Sequence, residues 1–331
     1  MKIFRLILFF LHIGIGVLLL GTLLNAYVPP KIFPWVNLLS LGFPVLIIAY
    51  VLLTLFWIFS WKKRAVIFVI LGLALITPAK RWVNYSSTPK ESSNLKLVTF
   101  NVKGGNAGKT NIENYINSQN ADVVMFEEDG MKEFDFKGLK GGKKMQNVSL
   151  YTKHTIIDQK DLIIGDYEWF NAYAQQTDLE IRGKRYRFVV VYLQPFKFEK
   201  SMIKLYGNNS GEDEEKVKNI LKRLIPTFKA HQEQVEIIRK AIDDSPYPVF
   251  VAGDFNSVPN SYEYYHLLEG LKDPFLEIGK GSGTSFHDYK FPIRIDYIFT
   301  SKNIKPISYQ VDRTVDLSDH FPVIGTFRLD H

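Results

Sequence analysis

The first 85 residues contain no acidic side chain, which constrains this chain more than any other feature. Ile3 to Val28 is an almost uninterrupted apolar run, longer than the roughly 20 residues that cross a bilayer as a helix. Pro29, Pro30 and Pro34 then make a turn, and Val36 to Phe59 is a second run of spanning length, with Trp57 and Trp61 suited to the interface. Ala65 to Ala79 is shorter, but Trp82 and Val83 extend it while Lys80 and Arg81 snorkel. The first run lacks a small-residue cleavage site and reads as a retained helix. Lys2, Arg5 and Lys62-Lys63-Arg64 belong in the cytoplasm by the positive-inside rule. Three spans then place the rest of the chain outside, in the periplasm or at the cell surface of a bacterium. If the third stretch only lies on the membrane, the remainder stays cytoplasmic. The three-span arrangement is the expected one.

The same segment accounts for the net charge of +7. Its eight basic residues, taken from the chain's 41, leave 33 against 34 acidic ones, so the remainder is near neutral. A domain that grips duplex DNA is usually basic in its own right. With no cysteine, disulfides, thiolate nucleophiles and cysteine-held metals are excluded. Any metal must sit on oxygen ligands with help from histidine, which points to Mg²⁺, Mn²⁺ or Ca²⁺.

Ser86 to Asn94 is polar and of linker composition. After it come Leu95 to Val102, an alternating strand carrying Asn101 at its end, a helix at Asn111 to Ser118, and a buried strand at Asp122 to Phe126 that runs into Glu127-Glu128-Asp129. Strands follow at Val148 to Thr152, Ala172 to Ile181 and Arg187 to Leu193. Lys200 to Glu215 is charged and rich in Gly and Asn, and Glu214 to Asp243 has helical periodicity despite Pro226. Short strands with few helices between them give an α+β domain with sheet packed on sheet.

Val249-Phe250-Val251-Ala252 reads as a buried strand that stops at Gly253 and delivers Asp254 and Asn256. A period of two sends both to one side. Pro259 and Ser261 force a turn before a helix from Tyr262 to Leu268. Two further motifs close the chain, Arg294-Ile295-Asp296-Tyr297-Ile298 and Ser318-Asp319-His320-Phe321-Pro322-Val323.

In this order, Asn101, Glu128, Gly253-Asp254-Phe255-Asn256, Arg294-Ile295-Asp296 and Ser318-Asp319-His320 resemble the endonuclease/exonuclease/phosphatase superfamily, the deoxyribonuclease I-like proteins. The resemblance runs from about Leu95 to the end. It implies a four-layer α/β sandwich, here preceded by an all-α transmembrane segment. It also implies divalent-metal-dependent hydrolysis of a phosphodiester by direct attack of water. Phosphodiester hydrolysis needs charge neutralisation at the phosphoryl oxygens, an orienting base for water and stabilisation of developing charge. On the family pattern Glu128 holds Mg²⁺ or Mn²⁺ with Asn101 and Asp319, and Asp254 activates water. Asn256 and His320 bind the phosphate, and Asp296 orients His320. The substrate class stays open among nucleic acid, a phospholipid head group and a small molecule. The resulting organisation is a membrane anchor at 1–85 (spans near 3–28, 36–59 and 65–83), a linker at 86–94 and a catalytic domain at 95–331.

Two positions depart from the family pattern. Glu127 stands where glutamine is usual, so either neighbouring carboxylate could face the metal; alignment favours Glu128, leaving Glu127 a supporting or exposed role. Tyr192, in Val191-Tyr192-Leu193-Gln194-Pro195, stands where many members have histidine; it is read as catalytic or as a core tyrosine. These departures keep an alternative in view, a catalytically inactive membrane-tethered binding or assembly module. Thr284 and Ser285 are read as supporting the loop before Arg294. Lys137, Lys140, Lys143 and Lys144 are read as a solvated loop, and His12, His231, His266 and His287 receive no role.

Overall fold

The computed structural model describes residues 2–141, 147–166, 170–197, 210–288 and 292–329. Helix α1 (Lys2–Gly21) runs into a 3₁₀ turn, and α2 (Trp35–Ser60), α3 (Lys62–Leu73) and α4 (Ile76–Lys80) follow. Lys2–Ala26 and Trp35–Ser60, of 25 and 26 residues, are long and apolar enough to cross a membrane. The third apolar stretch is interrupted at Ala74 and Leu75, between helices of 12 and five residues. Leu19, Phe43, Tyr50, Trp57 and Phe68 pack inside this bundle. Ile7, Phe10, Val17, Val45, Leu52 and Ile70 lie exposed on its outside. At one end Arg64 lies over the rings of Phe9 and Trp61 and donates to the Arg5 carbonyl.

The remainder is built of β1 (Val83–Tyr85), β2 (Leu95–Asn101), α5 (Lys109–Gln119), β3 (Val123–Glu127), β4 (Lys140–Gly141), β5 (Val148–Thr152), β6 (Thr155–Ile163), β7 (Tyr173–Ile181), β8 (Lys184–Tyr192) and α6 (Ser210–Asp243). Then come β9 (Val249–Asp254), α7 (Tyr262–Leu268), β10 (Leu271–Lys272), α8 (Pro274–Ile278), β11 (Lys280–Ser282), β12 (Asp296–Ser301), β13 (Lys305–Val311) and β14 (Val323–Arg328). Two six-stranded sheets form, ordered β13-β14-β2-β3-β5-β4 and β10-β12-β9-β8-β7-β6. Both are mixed: β2–β3 and β8–β9 are parallel, and the other pairs antiparallel.

Strand alternation sorts the side chains into layers. Leu95, Leu97, Val123 and Met125 face Phe188, Val190, Phe250, Ala252 and Ile298 between the sheets. Their neighbours in sequence face outward: Val98, Phe100, Val124 and Phe126 onto Ile112 and Ile116 of α5, and Val189, Val251 and Phe299 onto Val235 and Ile238 of α6. Both faces of these strands are therefore covered, one by the other sheet and one by a helix. The result is the expected four-layer α/β sandwich.

The helical segment and the sandwich share one apolar cluster. It runs from Leu19, Phe43 and Trp57 through Trp82 to Val258 and Ile295, with Phe286 and Ile293 packed against it. β1 pairs with β11, and the stretch after it is fixed at both ends, by Ser86 N–H donating to Gly279 O and Asn94 N–H to Phe327 O.

Candidate active site

Along each inner strand face the apolar series ends in a polar residue at the same end of the sandwich. Asn101 and Glu127 close β2 and β3 as register partners, while Tyr192 and Asp254 close β8 and β9. Asp296 opens β12 opposite Asp254. The parity that fills the core thus also gathers the site. Gly253 makes the approach possible: its φ is +140° and a Cβ there would lie 2.0 Å from the Val191 carbonyl oxygen. Past the strand ends the backbone turns through left-handed residues, Glu128 at φ 49° and Asn256 at φ 45°.

The Asn101 amide donates to Glu128 Oε1 and to Asp254 Oδ2, both at 3.0 Å, joining the two sheets. Tyr192 is buried beside the Glu128 and Asp254 carboxylates. Asn256 donates its backbone N–H to Asp254 Oδ1 and its amide to Leu193 O, each at 2.8 Å. His320 Nδ1 lies 2.9 Å from Asp296 Oδ2, and its Nε2 lies 3.8 Å from Asp254 Oδ2. Ser285 Oγ accepts from the Asp296 backbone N–H, and the Phe286 ring meets His320 edge-on. Thr284 sits farther back, where its carbonyl accepts from Arg313.

Asp319 faces a different neighbour. Its Oδ2 is 2.5 Å from Lys103 Nζ, in the wall of a cleft of about 400 Å³ that Asn106, His287, Asp288 and Asp316 also line. Lys103 was not singled out from the sequence; the available signal is its place two residues after Asn101, where its own N–H donates to Asn101 Oδ1.

Burial and charge act against each other here. Burial would lower the His320 pKa, but the Asp296 and Asp254 carboxylates lift it above the ordinary histidine range. Burial raises the Asp254 carboxyl, opposed by His320. Burial likewise raises Tyr192, reinforced by Glu128 and Asp254. Glu127 is fully buried rather than exposed, because it continues the inward parity of Val123 and Met125. Burial and Asp296 raise its carboxyl, Thr99 donates to Oε1, and among the described residues Oε2 has no hydrogen-bond partner.

The remaining residues, His287 in the cleft apart, lie away from this cluster. Lys137 donates its N–H to Asn117, Lys140 opens the edge strand β4, and Lys143 and Lys144 lie outside the described residues. His12 stacks on Phe68 within the bundle and His287 on Phe321, while His266 lies tilted against Tyr262. His231 pairs with Glu263.

Two mixed sheets that converge on a buried Asp254/Asp296/His320 cluster define a hydrolase fold of the phosphoesterase class. The chain belongs to the Endonuclease/Exonuclease/phosphatase family, whose profile matches residues 98–320. Residues 4–82 match a second family, described as a domain of unknown function (DUF8431). No curated protein matches the chain. Among solved structures, a humanized D. rerio TDP2 superposes with a TM-score of 0.52 at 13% identity, covering 72% of this chain and all (100%) of that one. A mannosyl-6-phosphatase of Bacteroides thetaiotaomicron superposes at 0.50 with 16% identity, covering 71% and 100%. An endonuclease/exonuclease/phosphatase of Bacteroides vulgatus superposes at 0.50 with 18% identity, covering 72% and 100%. At such identities the likeness is one of fold.

Proposed function

We propose that this protein is a membrane-tethered, divalent-metal-dependent phosphoesterase that cleaves a phosphodiester by direct attack of water. The observation that carries this reading is the Asn101 amide joining Glu128 and Asp254 across the two sheets, beside the Asp296–His320 pair. The donor set suits a hard cation. It is rich in oxygen, and the buried carboxylates of Glu127, Asp254 and Asp296 crowd negative charge around one imidazole, which a cation would offset. Glu128 and Asn101 are the residues that would hold Mg²⁺ or Mn²⁺. His320 is a poor ligand, since Nδ1 is taken by Asp296 and a protonated ring offers no lone pair. Asp319 would act from the cleft wall with Lys103. The bound ion would neutralise charge on the phosphoryl oxygens.

The chain's own groups divide the remaining work. Asp254, its carboxyl raised by burial, takes the proton of the attacking water. Asn256 donates to a phosphoryl oxygen, and the His320 imidazolium, fixed by Asp296, faces the developing negative charge. Water oxygen forms the new bond to phosphorus as the ester oxygen leaves, without a covalent enzyme intermediate. Tyr192 steadies Glu128.

The membrane reading is supported by the two long apolar helices and by the bundle's polarity. One end carries Arg5 and Lys62 to Arg64, and the other meets the sandwich through Asn25 and Asn260. An anchor at 1–85 with three crossings and an extracytoplasmic catalytic domain at 95–331 fits that polarity. The test is hydrolysis of bis-p-nitrophenyl phosphate by the full chain in lipid nanodiscs with Mn²⁺ or Mg²⁺. Turnover abolished by EDTA and by Asp254→Ala supports the reading, and no turnover with bound Mn²⁺ refutes it. Plasmid DNA and phospholipid vesicles in parallel assign the substrate class.

A further inference from the structure

The loop that leaves the β9 strand is closed by the membrane segment. Asn260, in left-handed backbone at φ 69°, accepts from the Asn25 amide at its carbonyl and from Arg81 at its side-chain oxygen, each at 2.8 Å. Its own amide donates to Pro78 O. Two residues on, the Tyr262 N–H donates to Asn37 Oδ1 at 2.8 Å, and the Asn37 amide donates to both Glu263 oxygens at 3.1 and 3.0 Å. Asn25, Asn37, Asn260 and Glu263 are all buried.

From Glu263 the bonds lead back to the site. Glu263 Oε1 lies 2.8 Å from His231 Nδ1, and His231 Nε2 lies 2.6 Å from Gln194 O. The adjacent carbonyl, Leu193 O, accepts the Asn256 amide. Short polar contacts, bridged by the Leu193–Gln194 peptide, therefore connect helix α2 to Asn256.

We propose that Asn25, Asn37 and Arg81 are positioning residues of the active site, so that hydrolysis requires the membrane segment assembled against the Asn256–Glu263 loop. This rests on the phosphoesterase reading above. Buried amides are costly unless paired, and the surrounding contact is apolar, through Trp82, Val258 and Ile295. Adhesion alone needs no amide at Asn25 or Asn37. Hydrogen bonds add direction, fixing the loop's backbone at the Asn260 carbonyl and the Tyr262 N–H and its side chains at Asn260 and Glu263. A misplacement of about 1 Å at a reacting group can cost about a hundredfold in rate.

The experiment uses the full chain in nanodiscs, with steady-state hydrolysis of bis-p-nitrophenyl phosphate and thermal unfolding measured on the same samples. Asn37→Ala is expected to lower kcat about tenfold or more while KM moves less than about threefold. Asn37→Asp, which sets two carboxylates face to face, is expected to lower it at least as far, and adding Glu263→Gln to that variant to restore it. Asn84→Ala is the control. It removes the bonds of a buried amide to Phe275 O, Leu276 O and Ser86 Oγ at the same junction, away from the loop, and should cost melting temperature without changing kcat. An active wild type with kcat within about twofold in Asn37→Ala, or an equal fall in Asn84→Ala, overturns the positioning role alone. A wild type inert to every phosphate ester overturns the phosphoesterase reading and this one with it.

Discussion

Two buried histidine–carboxylate pairs sit in different regions of this molecule and are nearly identical in geometry. At the strand ends His320 lies 2.9 Å from Asp296, and at the junction with the helices His231 lies 2.8 Å from Glu263. They differ in what the second ring nitrogen meets. That of His231 is consumed by the Gln194 carbonyl, whereas that of His320 faces Asp254 at 3.8 Å, too far for a hydrogen bond. A carboxylate orients an imidazole in both places. Only an uncommitted second nitrogen leaves the ring something to do, so one pair is a joint and the other is available for chemistry.

The largest effect that tests this contrast is on rate. His320→Ala is expected to reduce kcat on a diester by about 10²–10⁴-fold, read by steady-state assay of the nanodisc-borne chain; a smaller loss than His231→Ala produces would break the comparison. His231→Ala should instead cost stability, about 3 kcal/mol, because it leaves the Glu263 carboxylate buried without its ring hydrogen-bond partner; urea unfolding measures this. Tyr192→Phe removes the hydroxyl beside Glu128 and Asp254 and should weaken Mn²⁺ binding by about 1 kcal/mol, near fivefold, by calorimetry. The smallest effect is on pH dependence. Burial alone would raise Glu263, but its bonds and charge contacts with His231, and the Asn37 amide, bring it below its ordinary 4.5. A carboxyl lowered on folding contributes stability above the unfolded value that is lost as pH falls through the folded value. Stability should therefore decline below about pH 4.5, and Glu263→Gln should flatten that limb by lowering stability at pH 7 while changing it least in acid.

The sandwich and the site cluster were legible because they rest on one local rule, a period-two apolar strand that ends in a polar residue. Asn101 and Asp254 stand out in sequence for that reason, while Asp296, which opens β12, stands out through its motif Arg294-Ile295-Asp296. Glu127 obeys the same rule, and its burial could have been read from its parity with Val123 and Met125. What could not be read is pairing between distant segments. Lys103 meets Asp319 across more than two hundred positions, and no local pattern announces it. Asn25 and Asn37 resemble tolerated polar residues at the ends of apolar runs until Asn260 and Glu263 are seen opposite them. His231 and Glu263 drew no reading for the same reason. Ser86 to Asn94 has linker composition, which says nothing of the hydrogen bonds that hold both its ends.

The apolar cluster shared by the helices and the sandwich also orders events in time. A ribosome delivers Leu19, Phe43 and Trp57 long before Val258, Phe286 and Ile295, so the template exists before the part that is moulded on it. A circular permutant with the helices moved behind Leu329 would reverse that order, leaving Val258, Phe286 and Ile295 to meet water, and other nascent chains, while they wait.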